Sequence, residues 1–394
     1  MKIGIIGTGA YGLAIALMLN KKNKDITMWT ESDERYEKYL NDGCIKDILP
    51  EIETPKNIKL TRSYEEASKN KDIVFIMSTA SFVGSICKEI KPYITKNTII
   101  CIASKGIENK SCKFLSDIAY EELKNKNIAI VSGPSFAIDI ATDSPAGLSL
   151  ASESKKAIKI LKNTLQNNTL KLRETNDLIG VQICGSIKNV IAMAAGMLSG
   201  MGYPESAQSF LITESLHDIK ALIKALGGNP KTILSFAGVG DILLTCTSTK
   251  SRNYTFGKLV GSGASKEEIN KYLEETTVEG YHTLKSIYKL IKNKKIKMPI
   301  INLINKIIVE NEDPQNLISF LINKKWDITS HFFHHQTHYT SLKNYLLLIL
   351  FQLLLLQFEH LKVKNLSKLS FHKKLNQDYL KCYSLILHLY VEFP

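Results

Sequence analysis

The chain begins Met1-Lys2-Ile3-Gly4-Ile5-Ile6-Gly7-Thr8-Gly9-Ala10-Tyr11-Gly12-Leu13-Ala14. This is a short apolar strand that runs into Gly-x-Gly-x-x-Gly and a helix-forming segment, an order that predicts binding of a dinucleotide. Gly7 permits the tight turn, Gly9 lets the backbone approach the pyrophosphate, and Gly12 lets the helix pack on the strand. A helix starting near Gly9 directs its free N–H groups and the positive end of its dipole at the phosphates.

The second predicted strand, 26–29, is followed by Glu31, which lies 19 residues after Gly12. A carboxylate at this point meets the adenosine ribose 2′-hydroxyl and repels the 2′-phosphate of NADP, which favours NAD. Alternatively, Glu31 and Asp33 simply begin the next helix, where acidic residues suit the dipole. Arg35, one helical turn further on, can reach a 2′-phosphate, so both NAD and NADP stay open as cofactors.

Hydrophobic patterning predicts an α/β fold with two domains and an atypical tail. Residues 1–182 alternate strands and helices, which indicates a Rossmann-like doubly wound sheet that binds the dinucleotide. Residues 183–325 are predicted to form an all-helical substrate and catalytic domain. The predicted strands are 2–6, 26–29, 72–77, 98–102, 127–131 and 147–151, and the predicted helices include 64–69, 81–93, 178–200, 204–226, 231–236, 266–272, 283–292, 299–310 and 315–324.

Residues 326–394 differ in composition from everything before them. They hold seven of the nine histidines, no glycine, and the Leu-rich run 345–357, which is too short to span a bilayer comfortably. We interpret this tail as an extension that is frameshifted or unfolded; a surface or buried amphipathic helix is the alternative.

Composition limits the classes of function and the compartment. The formal net charge is +13, but the basic residues are scattered, which argues against nucleic-acid binding and favours anionic small molecules. The seven cysteines form no CxxC pair and no metal-ligand spacing, as expected for free thiols in a reducing compartment. The N-terminus shows no leader pattern, so we expect a cytoplasmic protein with no metal site and no stable membrane insertion.

Two loops follow predicted strands at the edge where ligands bind in such sheets. Ser104-Lys105-Gly106-Ile107-Glu108 follows strand 98–102, and its lysine can reach a phosphate or a carbonyl oxygen, although it could equally be a surface lysine. Ser132-Gly133-Pro134-Ser135-Phe136-Ala137 follows strand 127–131, and could also be an ordinary turn.

Charged side chains also stand out in the helical part. Lys188 lies in Gly185-Ser186-Ile187-Lys188-Asn189-Val190-Ile191-Ala192-Met193-Ala194-Ala195-Gly196, where an unpaired buried amine is costly. It either extends to the surface or occupies a site where its pKa falls and it can transfer protons. Asp241 lies in Gly238-Val239-Gly240-Asp241-Ile242-Leu243-Leu244-Thr245-Cys246-Thr247-Ser248, where it could be an N-cap. Ser251-Arg252-Asn253 either binds a phosphate through the guanidinium fork of its arginine or forms an ordinary loop. Thr277-Val278-Glu279-Gly280 either places a carboxylate in the site or simply begins a helix.

The order GTGAYG, SKGIE, SGPSFA, SIKNVIAMAAG, GVGDILLTCTS, SRN and VEG closely resembles the bacterial-type NAD(P)-dependent glycerol-3-phosphate dehydrogenases, over about residues 1–324. The resemblance implies hydride transfer between a nicotinamide and dihydroxyacetone phosphate or sn-glycerol 3-phosphate, feeding phospholipid synthesis, in a homodimer. It implies catalytic roles for Lys188, Lys105 and Asp241. Implied cofactor contacts are Gly7, Gly9, Ala10, Tyr11, Gly12, Glu31, Lys105, Ala137, Arg252, Thr277 and Glu279. Implied substrate contacts are Lys105, Gly133, Ser135, Lys188, Asp241, Ser251, Arg252 and Asn253.

Some positions depart from the family pattern. Members often carry Arg or His near the end of the second strand, where Thr30 and Glu31 stand here, and commonly Val at the position of Thr277. The family usually ends soon after the helix 315–324, so a frameshift or read-through near Lys324 would explain the tail.

Two other functions stay open on the residues alone. One is a related dehydrogenase for a 3-hydroxy acid or an acyl-CoA, against which the phosphate-binding SRN argues. The other is a non-catalytic dinucleotide-binding regulator that docks to a membrane or a partner through the tail.

Overall fold

The computed structural model describes residues 1–22, 24–109 and 111–324. Eight strands form one sheet in the order 3-2-1-4-5-6-7-8 along the sheet. They are β1 (Lys2–Ile6), β2 (Asp25–Trp29), β3 (Lys59–Thr61), β4 (Ile73–Ile76), β5 (Ile99–Ile102), β6 (Ile128–Ser132), β7 (Ala146–Ala151) and β8 (Leu170–Thr175). Strand order reverses beside β1, so a crevice for ligands opens at the carboxyl ends of β1 and β4.

The expected α/β sheet is confirmed. Its strands pair in parallel except for β6 and β7, which pair antiparallel. Two strands, β3 and β8, are absent from the prediction. β3 has only three residues, and β8 alternates Leu170 and Leu172 with the exposed Lys171 and Arg173, so neither shows the continuous apolar run of the central strands.

Seven helices connect the strands. They are α1 (Ala10–Asn20), α2 (Asp33–Asp42), α3 (Tyr64–Ser68), α4 (Val83–Ile90), α5 (Leu115–Leu123), α6 (Ala137–Ala141) and α7 (Lys155–Leu165). The predicted helix 81–93 is α4 with a 3₁₀ turn at each end, Ala80–Phe82 and Lys91–Tyr93. Pro92 explains the second turn, because proline cannot donate the backbone hydrogen bond that would continue α4.

From Leu178 to Lys324 the structure is helical. The helices are α8 (Leu178–Gly200), α9 (Glu205–Ala225), α10 (Asp241–Cys246), α11 (Arg252–Gly261), α12 (Lys266–Glu275), α13 (Glu279–Asn293), α14 (Pro299–Val309) and α15 (Asn316–Asn323). The predicted helix 231–236 is instead a 3₁₀ turn, Pro230–Leu234, followed by a kinked turn, Phe236–Gly240, in which the backbone of Gly238 is not helical. The proposed division at 182/183 falls inside α8 and stays a prediction. The tail prediction, 326–394, concerns residues outside those described.

Helix α8 is the core of the helical part. Its apolar residues are buried from Val181 to Leu198. It is the one helix among the described residues that is long and apolar enough to cross a membrane, yet 89% of its apolar stretch is buried within the fold. The N-terminus of α8 is fixed by Asp177, whose carboxylate accepts hydrogen bonds from Gly180 N at 2.9 Å and from the Thr232 hydroxyl at 2.5 Å.

Helices α8 and α11 touch backbone to backbone at glycines. A Cβ atom on Gly196 would meet the Tyr254 carbonyl, and one on Gly257 would meet the Met193 carbonyl, both well inside van der Waals contact. This close approach matters for the site because α8 carries Lys188 and α11 begins at Arg252.

We predict that Gly257→Ala lowers the free energy of unfolding by about 2 kcal/mol or more, because overpacking the α8–α11 contact outweighs the better helix propensity of alanine. Chemical denaturation measures the change. The control is Gly84→Ala in α4, where a Cβ would make an ordinary 3.5 Å contact with Ile118. Equal stability of the two variants would contradict the proposed close contact.

Candidate active site

The loop between β1 and α1 has the geometry of a phosphate cradle. Gly7 has φ of +120°, and a Cβ on it would lie 2.6 Å from the Met77 carbonyl oxygen. A Cβ on Gly12 would lie 2.5 Å from the Gly7 carbonyl oxygen, so helix α1 packs tightly on this turn. Gly9 is the N-cap of α1 and faces open space, with nothing within 4 Å of a built Cβ. Backbone N–H groups here are free to approach an anion.

A cavity of about 310 Å³ extends from this loop to the end of β2. Glu31 and Arg35 line it together with Thr8. Helix α2 begins at Asp33 with Ser32 as its N-cap, so Glu31 precedes the helix and does not belong to its first turn. The Arg35 guanidinium binds Asp47 at 3.0 Å and donates to the Thr8 hydroxyl at 3.2 Å, which places it directly over the glycine loop.

The centre of the site is a buried carboxylate held by two amines. Asp241 is 2% exposed. Its Oδ2 lies 2.7 Å from Lys105 Nζ, and its Oδ1 lies 3.0 Å from Lys188 Nζ. The N-cap of α10 is Gly240, so the Asp241 carboxylate serves the two lysines instead of capping the helix.

Lys188 does not extend to the surface. The side chain is buried, and Nζ also donates to the Thr245 hydroxyl at 2.8 Å. Burial lowers the pKa of Lys188, and the charge of Lys105 lowers it further, whereas Asp241 opposes both effects. A buried amine with a lowered pKa and a hydrogen-bonded carboxylate is suited to give up and take back a proton.

The turn that carries Asp241 is anchored to the sheet. The Phe236 ring packs on Gly147 of β7, where a Cβ would lie 2.7 Å from the ring. Arg173 of β8 stacks over the same ring at 4.9 Å, and Ala237 N donates to the Ser149 hydroxyl at 3.1 Å. These contacts fix the position of Asp241 relative to the strand ends.

Three polar side chains link the helices around the site. Asn253 Nδ2 donates to Asn189 Oδ1 at 3.1 Å, and Asn189 Nδ2 donates to Glu279 Oε2 at 3.1 Å. Asn253 Oδ1 accepts from Gly280 N at 2.8 Å. Helices α8, α11 and α13 therefore meet in one hydrogen-bonded chain.

A second cavity, of about 250 Å³, has Lys105, Lys188 and Asp241 in its wall, and the Ser251-Arg252-Asn253 segment lines it as well. Ser251 is the N-cap of α11, and its hydroxyl oxygen accepts from Tyr254 N at 3.3 Å. The Ser251 hydroxyl proton stays available to an anion. Arg252 is exposed and makes no ion pair with any described carboxylate, so its guanidinium can bind a phosphate in bidentate fashion.

The loop after β6 joins the two halves of the cleft. The Ser135 hydroxyl lies 3.1 Å from the Tyr11 hydroxyl, and the Gly133 carbonyl accepts from Lys105 Nζ at 3.4 Å. Burial raises the pKa of Tyr11 to about 12, so this hydroxyl stays protonated at neutral pH.

A third cavity, of about 420 Å³, lies between the first two and contains Thr277 and Glu279. Glu279 and Lys105 also line the 250 Å³ cavity, so the cleft is continuous. Of the predicted site residues, Ala10, Gly12, Gly133 and Ala137 line none of the three cavities.

Sequence reasoning missed Thr245, which accepts a hydrogen bond from Lys188 Nζ, and Asn189, which links Asn253 to Glu279. Asn189 follows Lys188 directly, and Thr245 lies one helical turn after Asp241, so it points to the same side of α10. The i, i+4 spacing from Asp241 could have identified Thr245. Nothing in the sequence indicates that Asn189 meets Asn253.

Comparison with known proteins identifies the family of the chain. A profile described as the N-terminus of NAD-dependent glycerol-3-phosphate dehydrogenase matches residues 2–158, and the corresponding C-terminal profile matches residues 177–319. The chain is 34% identical to a glycerol-3-phosphate dehydrogenase (NAD(P)+) from Fusobacterium nucleatum, over 84% of this chain and 99% of that protein. It is 36% identical to a protein of the same name from Thermoanaerobacter, over 82% and 97%. The crystal structure of glycerol-3-phosphate dehydrogenase from Coxiella burnetii superposes with a TM-score of 0.78 at 29% identity, covering 82% and 99% of the two chains.

We predict that Asp241→Asn lowers the pKa of the Lys188 amine, because the charge that supports the ammonium form is removed while burial and Lys105 remain. The pH dependence of the Lys188 signal, followed by NMR after reductive methylation with ¹³C, measures it. Asp25→Asn, an exposed change at the opposite end of the strands, is the control and should leave the signal unchanged. An unchanged or raised Lys188 pKa in the Asp241 variant would contradict the interpretation.

Proposed function

Because the chain belongs to the NAD-dependent glycerol-3-phosphate dehydrogenase family, we propose that the cleft around Asp241 is where it interconverts dihydroxyacetone phosphate and sn-glycerol 3-phosphate. The protein is an NAD(P)-dependent oxidoreductase of this family. The observation that carries the site proposal is the buried group Lys105–Asp241–Lys188 beside an anion-binding wall and a dinucleotide loop. Neither a 3-hydroxy-acid dehydrogenase nor a non-catalytic regulator accounts for this combination.

Cofactor binding is assigned to the loop after β1 and the two cavities that flank it. The open face of Gly9 and the N-terminus of α1 suit a pyrophosphate, and Glu31 stands where an adenosine ribose would lie. Thr277 and Glu279 border the path towards Lys188. Bound nicotinamide supplies or accepts the hydride.

Lys188 is proposed to handle the proton. In the reduction, its ammonium polarises the substrate carbonyl oxygen and donates a proton to the developing alkoxide; in the oxidation, the neutral amine removes that proton from the hydroxyl. Thr245 and Asp241 hold Nζ in place, and the lowered pKa brings the two protonation states of Lys188 closer in free energy.

Lys105 and Asp241 are proposed to orient the reacting end of the substrate. Asp241 neutralises one of the two amine charges, so that both amines can lie in one small cavity. The Lys105 amine also donates to the Gly133 carbonyl, which keeps this amine beside the loop that follows β6.

The opposite wall is proposed to bind the phosphate. Arg252 supplies the bidentate fork and Ser251 a hydroxyl donor. Asn253 Oδ1 accepts a hydrogen bond from Gly280 N, and one N–H of Asn253 Nδ2 donates to Asn189. The main contribution of Asn253 is therefore to hold the wall in place, and its second side-chain N–H can bind an anion. Ser135 completes the cavity beside Tyr11.

Assembly and location are finer proposals. We propose a cytoplasmic homodimer without stable membrane insertion, which supplies sn-glycerol 3-phosphate for phospholipid synthesis. The burial of α8 within the fold supports the absence of membrane insertion, and the free state of the six described cysteines supports a reducing compartment. Light scattering after size-exclusion chromatography tests the dimer.

We predict that Lys188→Met lowers kcat for dihydroxyacetone phosphate reduction by about a hundredfold or more, because the proton donor is lost. Cofactor binding, followed by the fluorescence of the reduced nicotinamide, should persist. In the unaltered protein, reduction should fall as pH rises through the Lys188 pKa, and oxidation should rise. Lys220→Met on the exposed face of α9 is the control. Near-normal turnover in the Lys188 variant would remove this residue from the mechanism.

We predict that Glu31→Ala raises the ratio of kcat/KM for NADPH to that for NADH by about tenfold, because a negative charge beside the 2′-phosphate is removed. Arg35→Ala should lower the same ratio, since its guanidinium lies over the glycine loop. Steady-state kinetics with both cofactors measures the ratio. A ratio that is unchanged in both variants would show that the 2′-position lies elsewhere.

A further inference from the structure

We infer that Lys250 is a second cation for the substrate phosphate, placed beside Arg252, and that it sets the affinity for the phosphorylated substrate. The inference rests on the proposed function of the cleft. It concerns a residue outside the motifs singled out in the sequence.

The position of Lys250 is the first observation. It directly precedes Ser251 in the connection between α10 and α11, and it lines the same 250 Å³ cavity as Lys188 and Arg252. Its amine lies 5.7 Å from the ring centroid of Phe136, which follows Ser135 in the loop after β6. The side chain therefore reaches from one wall of the cavity to the other.

Charged side chains of both signs line the cavity. Six charged side chains contribute to its wall: Lys105, Lys188, Asp241, Lys250, Arg252 and Glu279. Lys105 and Lys188 share Asp241, and Glu279 is hydrogen-bonded to Asn189. Arg252 and Lys250 are the two cations of this wall that make no ion pair with the described carboxylates.

The charge of the substrate makes a second cation useful. A phosphate monoester carries about two negative charges at neutral pH, since its second pKa is about 6. One guanidinium neutralises half of that charge. The Lys250 ammonium, which lies over the Phe136 ring and pairs with no described carboxylate, neutralises the other half of the phosphate charge as a mobile point charge.

The proposed contribution is separable from folding. Lys250 is exposed, and the described contacts of its amine consist of the stacking on Phe136. Replacing it therefore leaves the core, the α8–α11 contact and the lysine–aspartate group intact. The effect should appear in substrate KM, with kcat preserved.

The test compares steady-state reduction of dihydroxyacetone phosphate by the full-length protein and four variants. We expect Lys250→Ala to raise KM by about three- to tenfold with kcat within about twofold, and Lys250→Glu to raise it further. Lys250→Arg should restore a KM near that of the unaltered protein. The inhibition constant of inorganic phosphate, as a competitor of the substrate, should rise in parallel. The increases in KM and in the inhibition constant of phosphate should both become smaller as ionic strength increases.

Lys258→Glu, on the exposed side of α11 and outside the cavity wall, is the matched charge control. A KM increase in Lys250→Glu no larger than in this control would overturn the inference, as would an equal rise in the KM of the nicotinamide cofactor. Absence of turnover in the unaltered protein would instead overturn the proposed function, and the inference with it.

Discussion

The carboxylate of Asp241, shared by two lysines, is the interaction on which the rest of the site depends. Two amines in one small cavity repel each other, and burial opposes the charged form of Lys188. One carboxylate at 2.7 and 3.0 Å from the two nitrogens offsets that repulsion and makes the arrangement possible. Buried ion groups of this kind contribute little to stability, since desolvation offsets their attraction. We attribute the arrangement to the proposed chemistry, which needs a positive charge and a movable proton beside a developing oxyanion.

The helical core determines how far apart the two ends of the cleft lie. Helix α8 brings Lys188 to one side of the cavity, and farther along the same helix Gly196 meets the backbone of α11. Because no side chain separates the two helices at this contact, the position of Arg252 relative to Lys188 follows from backbone packing. Side chains on longer stems would allow variation of an ångström or more, which is enough to misplace a small substrate. The α8–α11 contact therefore contributes both to the packing of the helices and to the geometry of the proposed site.

Much of this architecture follows from local sequence pattern. The glycine loop, the buried strands and the long apolar helix α8 each have a period or a spacing that identifies them, and the ordered motifs identify the family. The antiparallel pair β6–β7 and the short strand β3 have no comparable local signal, because they depend on which segment lies alongside. The same holds within the site. Lys188 and Asp241 stand out by type, whereas the bonds of Asn189 to Asn253 and Glu279 exist only because three helices meet. Ser251 shows a further limit, since a residue named as a ligand also caps its own helix.

The hydrogen-bonded chain through Asn253, Asn189 and Glu279 connects the two proposed binding regions of the cleft. Its one end adjoins the anion-binding wall, and its other end adjoins the cavity assigned to the cofactor. Asn189 stands between them, next to Lys188 in the same helix. Since each amide in this chain is fixed by a donor and an acceptor, neither end can shift without breaking a buried hydrogen bond. Lys188, the proposed proton-transfer group, is thus held between the two proposed binding walls, and the same network keeps these walls in register. The fold therefore fixes the charged groups of the cleft before any ligand enters.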